Sequence, residues 1–494
     1  MTETDRLNPF NVISNKSHFS RLSKGESLFT FIVSLAVFVF FYFVYNKHIL
    51  TDAHWDTGWI KQVIWHNILQ KMPGDCCSSG NLSSPYISWR WHFTPLFSLV
   101  SLLSYLWPFT VNSWLISFFA LQPALLVFFI CLIYFSRKIH LYDRKFLNYL
   151  LPVILCFTLG SLRALAFPHF ELLYLVFLLA MIYYAARNQK MLFIVFVILI
   201  LSIKEDSAFY LVILIWFVFF GFIAFKKLLL ITTILLTPSI IYLILPSFVD
   251  YSDQISSNFT DMTNLQAHYL GKPFLSHITL KFLLLRFSDI VQNNYLIIIL
   301  QAMLTIFAFR YKEYLILRLM MSTIPFWIVS FLAFSWVKGQ MLTYEIIPIW
   351  SSVVIAILFL PYYKLKNLIS KKIFINLILV ILMIGTINTS SKFLIKSALI
   401  ETPSNRSIRI IDKIINQAKS EGIKLDTNFF VYDPRLVSHD SWLYDLNEFK
   451  VGSCFLHLPN SDRKILLEKN NSNLSFETIQ YMNSSFFKTC SKLK

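Results

Sequence analysis

Apolar stretches near the ~20 residues needed to cross a bilayer recur along residues 28–390 of the chain. Repetition on this scale excludes a soluble globular enzyme, a disordered chain and a small disulfide scaffold. Composition agrees: 14% of the 494 residues are charged and 56% are hydrophobic, against about 25% charged in an ordinary soluble domain. Lys+Arg 44 against Asp+Glu 27 leaves a net charge of +17. The basic residues sit mostly in short loops between apolar runs. That pattern sets membrane orientation rather than building a phosphate-tracking face, so no nucleic-acid partner is expected.

Residues 1–27 are polar and read as a cytoplasmic tail, because Arg6, Lys16, Arg21 and Lys24 precede the first apolar run. That run, Leu28–Asn46, is too long for a signal-peptide core and lacks a small-residue cleavage site, so it reads as an uncleaved anchor. Later spans are expected over Thr110–Phe135, Phe146–Leu162, Glu171–Ala186, Met191–Ile203, Ser207–Phe225, Leu228–Pro246, Asn293–Phe309, Tyr314–Phe334, Met341–Leu360 and Lys372–Thr389. The sum is about eleven helices on the length criterion. Arg137, Lys138, Arg187, Lys190, Lys226, Lys227, Arg310 and Lys312 then share the inner side, provided that Phe93–Trp107 re-enters or lies at the surface rather than crossing. The expected fold is an all-α polytopic membrane protein over residues 28–390. Residues 391–494 are expected to form a small extracytoplasmic α/β domain, with strands over Asn428–Tyr432 and Cys454–Leu458.

This topology gathers the unusual polar residues on the outer side, where ionisable groups at helix ends mark a water-filled site. The first outer loop, 47–92, holds Asp52 and Asp56 ahead of an amphipathic stretch containing Trp59 and Trp65. Asp56 reads either as a helix N-cap or as a catalytic base or metal-binding carboxylate. A second long outer loop covers 248–292. Arg163, His169 and Glu171 occupy one short tip, and Lys204, Glu205 and Asp206 another. The run before Lys204 has only about 13 apolar residues, so Lys204 is expected below the membrane surface, facing protein or water. The plain alternative is a solvated turn with weak local ion pairs. Pro325 and Pro348 interrupt apolar helices, and Lys338 is the expected partner of Glu345. Among the cysteines, Cys454 and Cys490 are the pair expected to meet if the tail lies in an oxidising compartment.

Four short motifs then resemble, in order, a bacterial and archaeal membrane family known only as a domain of unknown function. That family is placed with the GT-C superfamily of lipid-dependent glycosyltransferases. The motifs are Asp56-Thr57-Gly58 with Gln62 and Trp65, His92-Phe93-Thr94-Pro95, His169-Phe170-Glu171, and Lys204-Glu205-Asp206. Phe167-Pro168 stands where the family usually carries an aspartate, and Leu342-Thr343-Tyr344 keeps only the tyrosine of its His-Tyr pair. The resemblance implies a GT-C-like transferase in the plasma (inner) membrane. It would move a sugar from a polyprenyl-phosphate donor to a glycan, lipid or protein acceptor on the outer face. Asp56 would be the catalytic acidic residue, with Asp52 behind it. His92, Arg163, His169, Glu171, Lys204, Glu205, Asp206, Lys338 and Tyr344 would serve substrate and phosphate binding. The requirement for a divalent metal stays open. A transporter or flippase for a lipid-linked or anionic solute, and a scaffold with an outer binding domain, are the other readings.

Overall fold

The computed structural model describes residues 19–51, 60, 94–107, 111–138, 145–165, 169–244, 269–271, 273–335, 339–341, 344–360, 376–385, 420, 424–425, 454–457, 474–481 and 484–491. Most of these are helical. The helices are α1 (Lys24–Thr51), α2 (Pro95–Ser104), α3 (Val111–Ser136), α4 (Lys145–Cys156), α5 (Leu159–Ala164), α6 (Leu172–Ala186), α7 (Lys190–Leu201), α8 (Ser207–Phe219) and α9 (Phe225–Ile244). They continue with α10 (Leu280–Tyr311), α11 (Tyr314–Met321), α12 (Ile324–Leu332), a 3-10 turn (Tyr344–Ile346), α13 (Ile347–Leu358) and α14 (Asn376–Gly385). Among the described residues, four stretches are helical, long and apolar enough to cross a membrane: Lys24–Asn46, Ser113–Ser136, Leu280–Tyr311 and Tyr314–Leu332. They mark a membrane-embedded helical protein.

Several expected spans are shorter or broken. Helices α6, α7 and α8 have 15, 12 and 13 residues, so each rises only about 18–22 Å against ~30 Å of hydrocarbon. The expected span Phe146–Leu162 divides into α4 and α5 around Phe157 and Thr158. Pro325 and Pro348 do not kink long helices. Each lies in the first turn of a new one, where the missing N–H costs nothing. Helix α10 starts at Leu280, well before the expected Asn293. Thr279 caps it, its hydroxyl oxygen accepting the Phe282 N–H at 3.1 Å.

The chain divides into two compact units, the first comprising Met1–Val44, Ile116–Leu245 and Asn264–Ala398. Within it α6 packs on α7 and α13, α10 on α11, and α8 on α9 and α11. Helix α6 is apolar and buried along most of its length, whereas α7 turns Met191, Ile194, Val195 and Ile198 outward. The first therefore lives inside protein and the second presents a lipid-type surface. Close packing between membrane helices relies on small residues, and Gly160 shows why. A Cβ built there would lie 2.7 Å from Cβ of the fully buried Trp350. The Trp350 indole N–H donates to Ser161 Oγ at 2.7 Å, joining α13 to α5.

Basic residues gather at one end of this unit. Arg137 donates to the Leu358 carbonyl at the C-terminus of α13 and stands 4.4 Å from the Phe359 ring centroid. Lys138 pairs with Glu26 at 2.9 Å, at the start of α1. Arg187 donates to Ser20 O at 3.2 Å, and Ser20 N–H to Ser136 O at 2.8 Å. Arg318 donates to Val218 O at 3.1 Å and Phe220 O at 2.6 Å, closing the C-terminus of α8. A cation at a helix C-terminus meets the negative end of the peptide dipoles.

The second unit comprises Tyr45–Leu115, Pro246–Thr263 and Leu399–Lys494. Its α2 has 10 residues, about 15 Å and half of what a crossing requires. Trp107 and Trp114 stack tilted at 5.4 Å, and the Trp114 indole N–H donates to Val100 O at 3.0 Å. The same unit holds a four-stranded sheet of β1 (Lys424–Leu425), β2 (Cys454–His457), β3 (Leu474–Tyr481) and β4 (Ser484–Ser491) in the order β1-β2-β4-β3. β1 and β2 are parallel and the other pairs antiparallel. The expected strand Asn428–Tyr432 lies outside the described residues.

The Gly160–Trp350 contact yields a stability test. Gly160→Ala should destabilise the protein by about 1–3 kcal/mol, the usual cost of overpacking. Ser161→Ala should cost about 1 kcal/mol through the lost hydrogen bond. Thermal unfolding in detergent measures both, and equal Tm values for Gly160→Ala and wild type would remove the contact from the account.

Candidate functional site

A charged cluster lies in the first unit, built where the chain turns into α6 and again into α8. Lys204 lies midway along the α7–α8 connection, residues 202–206, with only 6% of its surface exposed. Its Nζ lies 2.9 Å from Glu171 Oε1 and 3.3 Å from Asp206 Oδ2. Glu171 and Asp206 occupy the N-cap positions of α6 and α8, yet neither side chain caps its own helix. Both turn to the lysine instead. The Tyr210 hydroxyl, one turn into α8, donates to Asp206 Oδ2 at 2.7 Å. Tyr210 meets Tyr174 edge-on at 5.6 Å and Phe326 at 5.4 Å. His169 is buried and stacks on Phe170 at 4.6 Å.

The arrangement follows from local sequence. Two helix starts bring two carboxylates toward the positive ends of two peptide-dipole arrays. Lys204 sits between them. Burial by itself would lower the Lys204 pKa, but the carboxylates of Asp206, Glu171 and Glu205 outweigh it and hold it well above the usual lysine range. This is a buried network and not the solvated hairpin tip of the plain alternative. Among the described residues, Glu171 and Asp206 are the carboxylates in ion-pair contact with Lys204.

Lys204 and Arg163, the cations expected to face a lipid phosphate, each have protein partners. Arg163 donates to the Asn294 side-chain oxygen, to Asn293 O, and to Met341 O at 3.2 Å. Asn294 in turn donates from Nδ2 to Ile290 O and Gln340 O, each at 3.1 Å. The guanidinium joins α5 to α10 and to Met341 through three donated hydrogen bonds.

Sequence reasoning missed the polar stripe of α10. Arg286, Asn294 and Gln301 all lie on its buried face, at spacings of two helical turns. Arg286 is fully buried and donates to Ala333 O at 2.8 Å and Ser335 O at 3.1 Å. Any side chain at Gly339 would run into that guanidinium. Gln301 accepts the Trp327 indole N–H at 2.9 Å. The heptad-like spacing of three polar residues in an apolar run was the available signal.

Of the expected site residues, His169, Glu171, Lys204, Glu205 and Asp206 come together. Arg163 belongs to the α10 network. Tyr344 opens the 3-10 turn before α13. Asp52, Asp56, His92 and Lys338 lie outside the described residues. Among the described residues no three His, Cys, Asp or Glu side chains form a group that could hold a metal ion. No family model, curated protein or solved structure matches the chain.

The cluster predicts a specific pattern of rescue. Lys204→Met leaves the buried Glu171 and the half-buried Asp206 without their cation and should cost about 3 kcal/mol, the low end for a broken buried pair. The double variant Lys204→Met/Glu171→Gln removes one of those charges and should recover most of the loss. Because the folded-state pKa of Lys204 is raised, its contribution is complete below the unfolded lysine value of about 10.4. It disappears only as pH rises through the folded value. Unfolding in detergent across neutral and alkaline pH reads this. A wild-type advantage over Lys204→Met that already shrinks between about pH 6 and 9 would contradict the pairing.

Proposed function

We propose that the protein is a membrane glycosyltransferase, moving a sugar from a polyprenyl-phosphate donor to a glycan, lipid or protein acceptor on the outer face of the plasma (inner) membrane. The observation that carries this reading is the buried Glu171–Lys204–Asp206 cluster, set at helix starts in an otherwise apolar bundle. Carboxylates fixed by a lysine and two helix dipoles are preorganised acceptors for sugar hydroxyls. Arg163, Lys204 and Lys338 are the proposed cations for the developing phosphate charge, with His92 and Tyr344 as further proposed binding groups. The proton from the attacking hydroxyl goes to a positioned carboxylate, for which Asp56 is the proposed base or metal ligand and Asp52 its neighbour.

The proposed topology has about eleven membrane segments, a cytoplasmic N-terminus and an outward-facing C-terminal α/β domain. Its support is the convergence of Arg137, Lys138 and Arg187 at one end of the bundle, the arrangement that an inner-facing basic side requires. The resemblance of four motifs to GT-C-related proteins supports the reaction class. A transporter is the second reading, favoured by buried charge between helices. Against it, the proposed topology crowds the charged groups on the outer face rather than at the midplane where transporters bind.

Gene deletion separates these readings, with complementation by wild type, Asp56→Asn or Glu171→Gln at matched protein level. Surface glycans and polyprenyl-linked lipids are then profiled by mass spectrometry. A transferase predicts one sugar missing and its lipid-phosphate donor accumulating, in the deletion and in Asp56→Asn alike. A normal profile for Asp56→Asn at wild-type abundance would sink the catalytic role. An unchanged profile in the deletion favours transport.

A further inference from the structure

The strand register of the second unit places two cysteines opposite each other. In the antiparallel β2–β4 pair, Cys454 is the partner of Cys490. On its other side, Cys490 of the inner strand β4 pairs with Ser475 of β3.

The type of each pair follows from the hairpin. β3 and β4 are joined across two residues, 482 and 483, with Tyr481 opposite Ser484. A two-residue connection makes the closing pair hydrogen-bonded, because the carbonyl of the first flanking residue accepts the N–H of the second. Pair types alternate along an antiparallel ladder. Ser475↔Cys490 is six positions from the closing pair, an even step, so it is hydrogen-bonded too. The backbone N–H and C=O of Cys490 are therefore directed at β3. Toward β2 the same residue can form only the non-hydrogen-bonded kind of pair.

Non-hydrogen-bonded partners have Cα atoms about 4.5 Å apart. Disulfides span Cα separations of about 4.4–6.8 Å. Partners directly opposite each other also share a face of the sheet. Backbone geometry alone thus puts Cys454 and Cys490 at bridging distance.

We propose that Cys454 and Cys490 form a cross-strand disulfide that fastens β2 to the β3–β4 hairpin. This inference rests on the outward placement of the C-terminal domain, since an oxidising compartment is what makes the bond persist. The oxidant is the disulfide of a thiol–disulfide carrier in that compartment. One cysteine thiolate attacks a carrier sulfur and forms a mixed disulfide, releasing one carrier thiol. The second thiolate attacks the mixed disulfide, closing the Cys454–Cys490 bond and releasing the second carrier thiol. Two cysteine thiols are oxidised and one carrier disulfide is reduced to a dithiol, with both protons passing to the carrier.

The test uses the full chain in its native membrane. Free thiols are blocked with N-ethylmaleimide under acid quench, and the protein is digested without reduction and mapped by mass spectrometry. The expected result is a cross-linked peptide pair joining Cys454 to Cys490, with neither residue alkylated. Cys454→Ser should expose Cys490 to maleimide and lower the Tm, and a reductant should abolish that Tm difference. A parallel arm labels a Ser420→Cys variant with a membrane-impermeant maleimide in intact cells. Alkylated Cys454 and Cys490 together with outside labelling at position 420 would overturn the disulfide and leave the topology standing. Labelling at position 420 only after permeabilisation would overturn the outward placement and the disulfide with it. Bridging of either cysteine to Cys76 or Cys77 would overturn the pairing.

Discussion

A lysine ammonium taken out of water must be met by charge, and Lys204 is met from two directions. Glu171 and Asp206 reach it from the first residues of two different helices. Neither carboxylate is left to cap its own helix. The cation therefore fixes how α6 and α8 start relative to each other. Tyr210 and Phe326 then pack against the site that these starts define. Removing one member of such a buried set leaves an uncompensated charge, which costs far more than the intact set contributes.

The same economy governs α10. Arg286, Asn294 and Gln301 would be expensive toward lipid, and each finds protein oxygens or an indole N–H instead. The carbonyls of Ala333, Ser335 and Gln340 and the indole of Trp327 are satisfied by the helix beside them. Small residues allow the close approach: Gly339 beside Arg286, and Gly160 beside Trp350.

The membrane class was legible from the apolar runs, and the burial of Lys204 from the short run before it. The Glu171 and Lys204–Asp206 tips, far apart in the chain, come together, as their expected placement on one side suggested. Helix lengths were not legible. An apolar run continues through a helix break, so Phe146–Leu162 reads as one element although the backbone turns at Phe157. Hydrophobicity carries no record of where the hydrogen-bond ladder stops. Arg286 was hidden because its neighbours look like loop, while its partners lie some fifty residues away at Ala333 and Ser335. The committed state of Arg163 was equally invisible: a side chain's charge is written in the sequence, but the oxygens that consume its donors are not.

The arginines at the basic end serve two purposes that a count of positive charges does not separate. Any cation at positions 137 or 318 would hold the loop on its side of the membrane. Only a planar guanidinium can reach backbone carbonyls while lying over an aromatic ring, as Arg137 does at Phe359 and Arg318 at Phe222. Exchange for lysine at these two positions would conserve orientation and still loosen the C-termini of α13 and α8. Insertion fidelity and folded-state rigidity, usually lost together, would come apart there.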